Sequence, residues 1–311
     1  MKKAFLPICA GILLLAGCKE QDGIGLSGGT AVLSTDTTYM LTGPSLASLT
    51  TDPHQVLVEE FTGQSCDNCP KGHADLENFD TTHPGRLNYI GLYETNGGSL
   101  TQPVPGSAND FENTIAHAIG IYVSGSGVGN FPTAYIDRMP DVSDGILVGI
   151  GNWDADIITR MAVPDSMNLA ISSTYSGNTA TIIATVTYTQ PVNEKQSLTL
   201  DLVEDSIIDF QSADKSVGHT SEKYVDSTYL FTNVFRDMIT VSPGGDPILD
   251  TVTVKERGRV YKHTYTYTLP TITGHPAINP AHCRVVGFVS VPGTSGNFEI
   301  MQSAQTKLMG P

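Results

Sequence analysis

Apolar and polar positions along this chain change their period several times, and the changes divide it. Residues 4–15 are an apolar run behind Lys2 and Lys3, and residues 19–51 show no sustained period and are rich in Gly, Ser and Thr. Val56-Leu57-Val58-Glu59-Glu60-Phe61 is short, apolar and β-branched, which predicts a buried strand broken by Gly63 and Ser65. Leu76 and Phe79 then share one face of a helix. Residues 87–93 predict a second strand and 95–108 a Gly/Pro/Ser-rich loop. Phe111, Ile115, Ala118, Ile119 and Tyr122 recur at helical spacing within 109–122. A glycine loop at 124–130 leads to strands at 133–137 and 146–150, and Asn152 caps a helix over 153–161.

After Val163-Pro164 the period falls to two. Thr179, Thr181, Ile183, Thr185 and Thr187 alternate with Ala180, Ile182, Ala184 and Val186, after a hairpin signal at Ser176-Gly177-Asn178. Further strands are predicted at 167–173, 198–204, 251–256, 259–268, 284–291 and 298–307, with 224–239 as a crossing segment between sheets. Regular strands between turn signals argue an all-β immunoglobulin-like sandwich. The expected organisation is a targeting segment over 1–17, a tether over 18–51 with short strands at 30–33 or 38–41, an α/β domain over 52–163 and a sandwich over 164–311.

Length agrees with this division, since 311 residues suit roughly two domains. Charge narrows the partners. Acids outnumber bases 32 to 17, and removing Lys2 and Lys3 with the leader takes the net charge from −15 to about −17. Such a surface repels phosphate backbones and anionic headgroups, and no basic cluster or phosphate loop offsets it, so nucleic acid is excluded as a partner. The apolar run at 4–15 is too short to span a bilayer as a helix. It ends in Leu15-Ala16-Gly17-Cys18, which resembles the lipobox of bacterial lipoproteins. In that class Cys18 is lipidated and becomes the first mature residue, and the alternative is an ordinary secretory signal. Cys9 leaves with the leader. Cys66, Cys69 and Cys283 remain beyond the anchor, in an oxidising compartment where a dithiol rests as a disulfide.

The chemistry concentrates in Cys66-Asp67-Asn68-Cys69-Pro70 at the strand-to-helix junction. Pro70 is tolerated in a first helical turn. Outward helix N–H groups there stabilise a thiolate, lowering its pKa from roughly 8.5 towards 7 or below. A CxxC in this position reads as a redox dithiol, with a structural disulfide and a metal site as alternatives. His73 adds an imidazole to two thiolates, a zinc or copper(I) set lacking a dependable fourth ligand, for which His83 and His117 are candidates. Otherwise His73 is a surface histidine. Pro70 stands where haem attachment requires histidine. No metal and no cofactor is assigned. Cys283 reads as a small buried residue.

Val58-Glu59-Glu60-Phe61-Thr62-Gly63-Gln64-Ser65-Cys66-Asp67-Asn68-Cys69-Pro70 resembles the active-site segment of thioredoxin-like proteins, and Phe131-Pro132-Thr133-Ala134-Tyr135-Ile136-Asp137 resembles their second signature, a cis-proline followed by threonine and a strand. That likeness spans about residues 53–161. Joined to a lipoprotein leader and a β-rich second half, it resembles the Omp28-related outer-membrane lipoproteins of Bacteroidetes. The resemblance implies that Cys66 is exposed and attacks, that Cys69 resolves, and that Glu60 beneath them takes a proton from Cys69 during resolution. It implies that Phe131, Pro132 and Thr133 hold extended peptide, and that the partners are thiol- or disulfide-containing proteins met at the outer membrane. Glu59 points to the opposite strand face and is expected in solvent. Asp67 opposes thiolate formation, so the couple is expected to be reducing rather than strongly oxidising. Two functions follow: a lipid-anchored thiol–disulfide oxidoreductase, with the sandwich as spacer or platform, or a non-enzymatic surface lipoprotein binding a protein or glycan through its sandwich.

Overall fold

The structure, a computed structural model, describes residues 31–214, 223–272, 275–293 and 296–310. The leader, Cys18 and the first part of the tether lie outside the described residues. The elements in order are β1 (Ala31–Met40), α1 (Gly43–Ala47), β2 (Val56–Phe61), α2 (Cys69–Thr82), β3 (Leu87–Leu92), α3 (Thr114–Ser124), β4 (Thr133–Ile136), β5 (Val148–Gly149), α4 (Trp153–Met161), β6 (Met167–Ser176), β7 (Thr179–Tyr188), β8 (Ser197–Glu204), β9 (Ile207–Asp214), β10 (Lys223–Phe231), β11 (Val234–Met238), β12 (Asp246–Pro247), β13 (Arg259–Thr268), β14 (Cys283–Ser290) and β15 (Ile300–Lys307).

Among the described residues strands dominate, in three sheets. A four-stranded sheet runs β1-β13-β7-β6, a nine-stranded sheet runs β15-β14-β8-β11-β3-β2-β4-β5 with β12 beside β8, and β9 pairs only with β10. Part of the stretch read as a tether is therefore the edge strand β1, antiparallel to β13. Residues 251–256 form turns and an isolated bridge instead of the expected strand.

The self-contained immunoglobulin-like sandwich does not form. The four-stranded sheet packs on β8 and β14 through Leu169, Ile182, Val186, Leu200, Leu202, Tyr267 and Val285. Yet β8, β14 and β15 belong to the same sheet as β2–β5, joined where β11 runs parallel to β3 at Val234 and Gly91. Hydrogen bonding thus crosses the boundary expected at residue 163. A twisted sheet of nine strands curls, and this one bends back so that Leu57 and Ile90 pack on Val203, Val286, Phe288 and Ile300. The opposite face of β2 and β3 buries Val56, Val58 and Leu87 against Leu76 and Phe79 of α2 and Trp153 and Ile157 of α4.

A buried polar lock fastens the halves. His54, just before β2, has Nε2 at 2.7 Å from Asp137 Oδ2 and Nδ1 at 3.0 Å from Asp165 Oδ1. Arg160 of α4 donates to Asp137 at 2.9 Å and to Glu299 at 2.8 Å, and Gln302 of β15 donates to Asp165 at 2.6 Å.

Candidate functional site

β2 delivers the chain to a tight turn. A Cβ on Gly63 would lie 2.2 Å from the Leu100 carbonyl oxygen, so only glycine lets the loop after β3 close over this point. Cys66 N–H donates to Gly63 O at 3.2 Å and Cys69 N–H to Cys66 O at 3.3 Å, winding the chain into α2 with Pro70 in its first turn. Cys66 and Cys69 form a disulfide with Cα atoms 5.4 Å apart.

Glu60 sits under the first turns of α2. It is 1% exposed, its Oε1 has no hydrogen-bond partner, and burial, followed by the charge of Asp75, raises its pKa well above the usual carboxylate range. The acid is therefore held neutral. Gly72, one turn beyond Cys69, makes the close approach possible. A Cβ there would meet Glu60 Oε1 at 2.8 Å, Trp153 Cη2 at 3.0 Å and Pro132 Cβ at 3.2 Å. Pro132 thus lies against the same turn, and the Phe131–Pro132 peptide is cis. Thr133 is buried, with its hydroxyl donating to Val148 O at 2.9 Å.

His73 is no free surface histidine. Its Nε2 lies 2.8 Å from Thr62 Oγ1 and 3.5 Å from Glu60 Oε1, and its Nδ1 lies 2.7 Å from the Tyr229 hydroxyl. Burial pushes its pKa down to about 4, so the ring is neutral. His83 stacks on Phe79, and His117 pairs with the buried Glu94 at 3.0 Å, so neither joins His73. Among the described residues no group of three or more His, Cys, Asp or Glu side chains is placed to hold a metal. Cys283 is a free, buried thiol in the core between the four-stranded sheet and β8 and β14.

Two expectations are overturned. Cys66 is not exposed: it is 2% accessible and Cys69 is wholly buried. The cover is the β9–β10 hairpin. Ser212 N–H donates to Gln64 O at 2.8 Å, Asp214 N–H to Asp67 O at 2.9 Å, and Gln211 Nε2 to the carbonyls of Gly63 and Cys66, both at 3.1 Å. Asp209 pins the hairpin at the other side by accepting from Asn109 N–H and Nδ2, both at 2.7 Å. Glu59, expected in solvent, is wholly buried and accepts from Arg138 Nη2 at 2.6 Å and Nε at 2.7 Å. The opposite face of β2 is not open, because the curled sheet covers it with β14 and β15.

The residues that sequence reasoning missed are those of the hairpin. Gln211 gives no signal of its own, but the aromatics Tyr229 and Phe231 do. Both sit among Tyr93, Phe111 and Val234 at the hairpin base.

The family described as outer membrane protein Omp28 matches residues 121–308. Among solved structures, HBP35 of Porphyromonas gingivalis superposes with a TM-score of 0.58 at 15% identity, covering 83% of this chain and 76% of its own, a likeness of fold alone. A domain of the outer membrane lipoprotein Omp28 from Porphyromonas gingivalis gives 0.30 at 17% identity, over 47% of this chain and 91% of the domain. A protein of Agrobacterium tumefaciens gives 0.43 at 13% identity, over 82% of this chain and 95% of that one. No curated protein matches. Among the described residues no helix is long and apolar enough to cross a membrane.

Proposed function

This chain belongs to the Omp28 outer membrane protein family, and we propose that it is an outer-membrane lipoprotein, anchored through Cys18, that exchanges disulfides with other envelope proteins. In this reading residues 52–163 are a thioredoxin-like unit. The order β2-α2-β3-α3-β4-β5-α4 supports it, with β3 parallel and β4 antiparallel to β2 and a cis-proline entering β4.

One observation carries the catalytic part. A disulfide that merely pinned a helix would gain nothing from an unbonded acid buried beneath it, and burying such a group is costly. Glu60 is buried against the first turns of α2 with its Oε1 unbonded. In exchange, a partner thiolate attacks Cys66 Sγ. The Cys66–Cys69 bond breaks, its electron pair passes to Cys69 Sγ, and the neutral Glu60 gives that sulfur its proton. The partner's second thiolate then attacks its own sulfur in the mixed disulfide and releases Cys66 as thiolate. The partner leaves oxidised by two electrons, and the protein holds the dithiol. Phe131 and Pro132 guide the partner chain, and the hairpin must lift for it to enter.

The seal over Cys66 favours a second reading, a structural disulfide in a non-enzymatic surface lipoprotein that binds a protein or glycan. Cells producing a Cys69→Ser variant separate the two. Exchange leaves partners disulfide-linked to Cys66, visible as adducts that a reductant removes and that a Cys66→Ser/Cys69→Ser variant lacks. Identical patterns in both variants would establish the second reading.

A further inference from the structure

The hairpin over the dithiol is attached in a way that lets it move. Among the described residues β9 and β10 hydrogen-bond as strands only to each other. Ser206 and Asn233, at their two ends, have φ of 61° and 58°, and the register slips between Asp226 and Tyr229. Below that slip the hairpin base packs Ile207, Tyr229 and Phe231 with Tyr93 and Phe111, so the Tyr229 hydroxyl reaches His73 from the base. Beyond it the described hold is polar, through Gln211 and the backbone of Ser212 and Asp214. Water replaces such bonds at small net cost. A side-chain bond ties the hairpin directly to the helix of the dithiol, from Tyr229 on β10 to His73 on α2.

We propose that the His73–Tyr229 contact is a proton-sensitive latch, in which protonation of His73 frees the hairpin and opens the Cys66–Cys69 disulfide to thiols. This deepens the exchange reading given above and rests on it for its purpose.

The neutral ring suits its place. It offers one donor and one acceptor, and each meets a hydroxyl, Thr62 on one side and Tyr229 on the other, that is able to play either part. The imidazolium has two donors and a charge. Glu60 from β2 is the nearest carboxyl, but burial holds it neutral, so it gives the cation no counter-charge. The titratable and charged groups on the surrounding elements include Tyr89 from β3, Tyr93 just after it, Lys71, Asp75 and Glu77 from α2, and Asp226 and Tyr229 from β10. Burial keeps His73 down at about 4 in the closed form. In solvent the ring returns to its ordinary value of about 6.5. Linkage between these two values makes the open form about thirtyfold more populated, relative to the closed form, at pH 5 than at pH 8.

The test is the rate at which a phosphine reductant, tris(2-carboxyethyl)phosphine, opens the Cys66–Cys69 bond of the purified protein. The rate is followed by alkylation and divided at each pH by its rate on oxidised glutathione. The wild-type ratio is expected to rise about thirtyfold from pH 8 to pH 5. His73→Gln, which keeps a donor and an acceptor but takes no proton, is expected to stay flat. Tyr229→Phe keeps the ring and loses the bond, so it is expected to react faster at pH 8 and over a narrower range. A flat wild-type profile, or a wild-type rise retained in His73→Gln, overturns the latch. Should His73→Gln not fold, a wild-type rate and range in Tyr229→Phe does the same. A phosphine reads access to sulfur and needs no protein partner, so this result stands apart from the trapping of adducts.

Discussion

Replacing His54 with glutamine is expected to remove about 3 kcal/mol of the protein's loss of stability between pH 6.5 and 9. The ring is buried between Asp137 and Asp165. Burial acts against its charge, but hydrogen bonds to both carboxylates, and then their charges, outweigh it and raise the pKa to about 9. Below pH 6.5 the ring is protonated in folded and unfolded chains alike, and the lock contributes in full. Between 6.5 and 9 the unfolded chain releases the proton and the folded chain keeps it, so the contribution wanes. Above 9 it is gone. The gap between 6.5 and about 9 corresponds to about 3 kcal/mol. Glutamine still donates to one carboxylate, and Arg160 still holds Asp137, so the variant should fold. Urea unfolding at pH 6, 7.5 and 9 should show the wild type losing about 3 kcal/mol more than His54→Gln across that range. Parallel curves would refute the assignment of charge to His54, as would a His54 ring signal titrating near 6.5 in the folded protein.

Three further outcomes follow from the buried groups. Gly72→Ala should destabilise by about 1–3 kcal/mol in urea, because the new methyl meets Glu60, Trp153 and Pro132; a gain of about 1 kcal/mol, as in an open helix, would show that α2 does not press on them. Arg138→Met should cost about 3–5 kcal/mol by stranding Glu59, while the pair replaced together as Glu59→Met/Arg138→Met should cost much less; equal losses in thermal or urea unfolding would contradict this. Asp201, with neither oxygen bonded, has its pKa raised well above the usual range by burial and then by Glu59. Its neutral form is favoured in the folded chain, so stability falls as pH rises above about 4. Asp201→Asn should therefore match the wild type in acid and exceed it at pH 8, and a variant weaker than wild type at pH 8 would count against a protonated Asp201.

Where the sequence carried the answer, local pattern and burial agreed. Trp153 and Ile157 lie four apart and both are buried, and α4 runs from Trp153 to Met161 as their spacing predicts. Where it did not, the deciding partner was far away in the chain. A helix was expected from residue 109, yet α3 starts at Thr114, because Asp209 takes the N–H groups of Ala108 and Asn109 and Asn113 then caps the helix. β9 escaped notice because the side it buries carries Asp209, Gln211 and Ala213, a polar set that reads as a loop. Those side chains face inward because they serve loops and not a core. Gln211 reaches the carbonyls before and at Cys66, and Asp209 reaches the backbone ahead of α3. Glu59 is buried for a related reason, since its face of β2 is covered by β14 and β15, which lie far away in the chain.

These long-range contacts change what the second half of the chain is for. A spacer would leave the dithiol complete without it. Here the strands that seal Cys66 are β9 and β10, the cover on Leu57 and Ile90 comes from β8, β14 and β15, and Asp165 and Gln302 finish the lock around His54. A fragment ending at residue 163 would lose all three at once. It would expose one face of β2 and β3 to water and leave Glu59 and Arg138 uncovered at the surface. The sulfurs would meet solvent without the hairpin that governs them in the whole chain. Activity measured on such a fragment would report the reach of an uncovered disulfide, whereas in the intact protein β9 and β10 are hydrogen-bonded to the loop from Gly63 to Asp67.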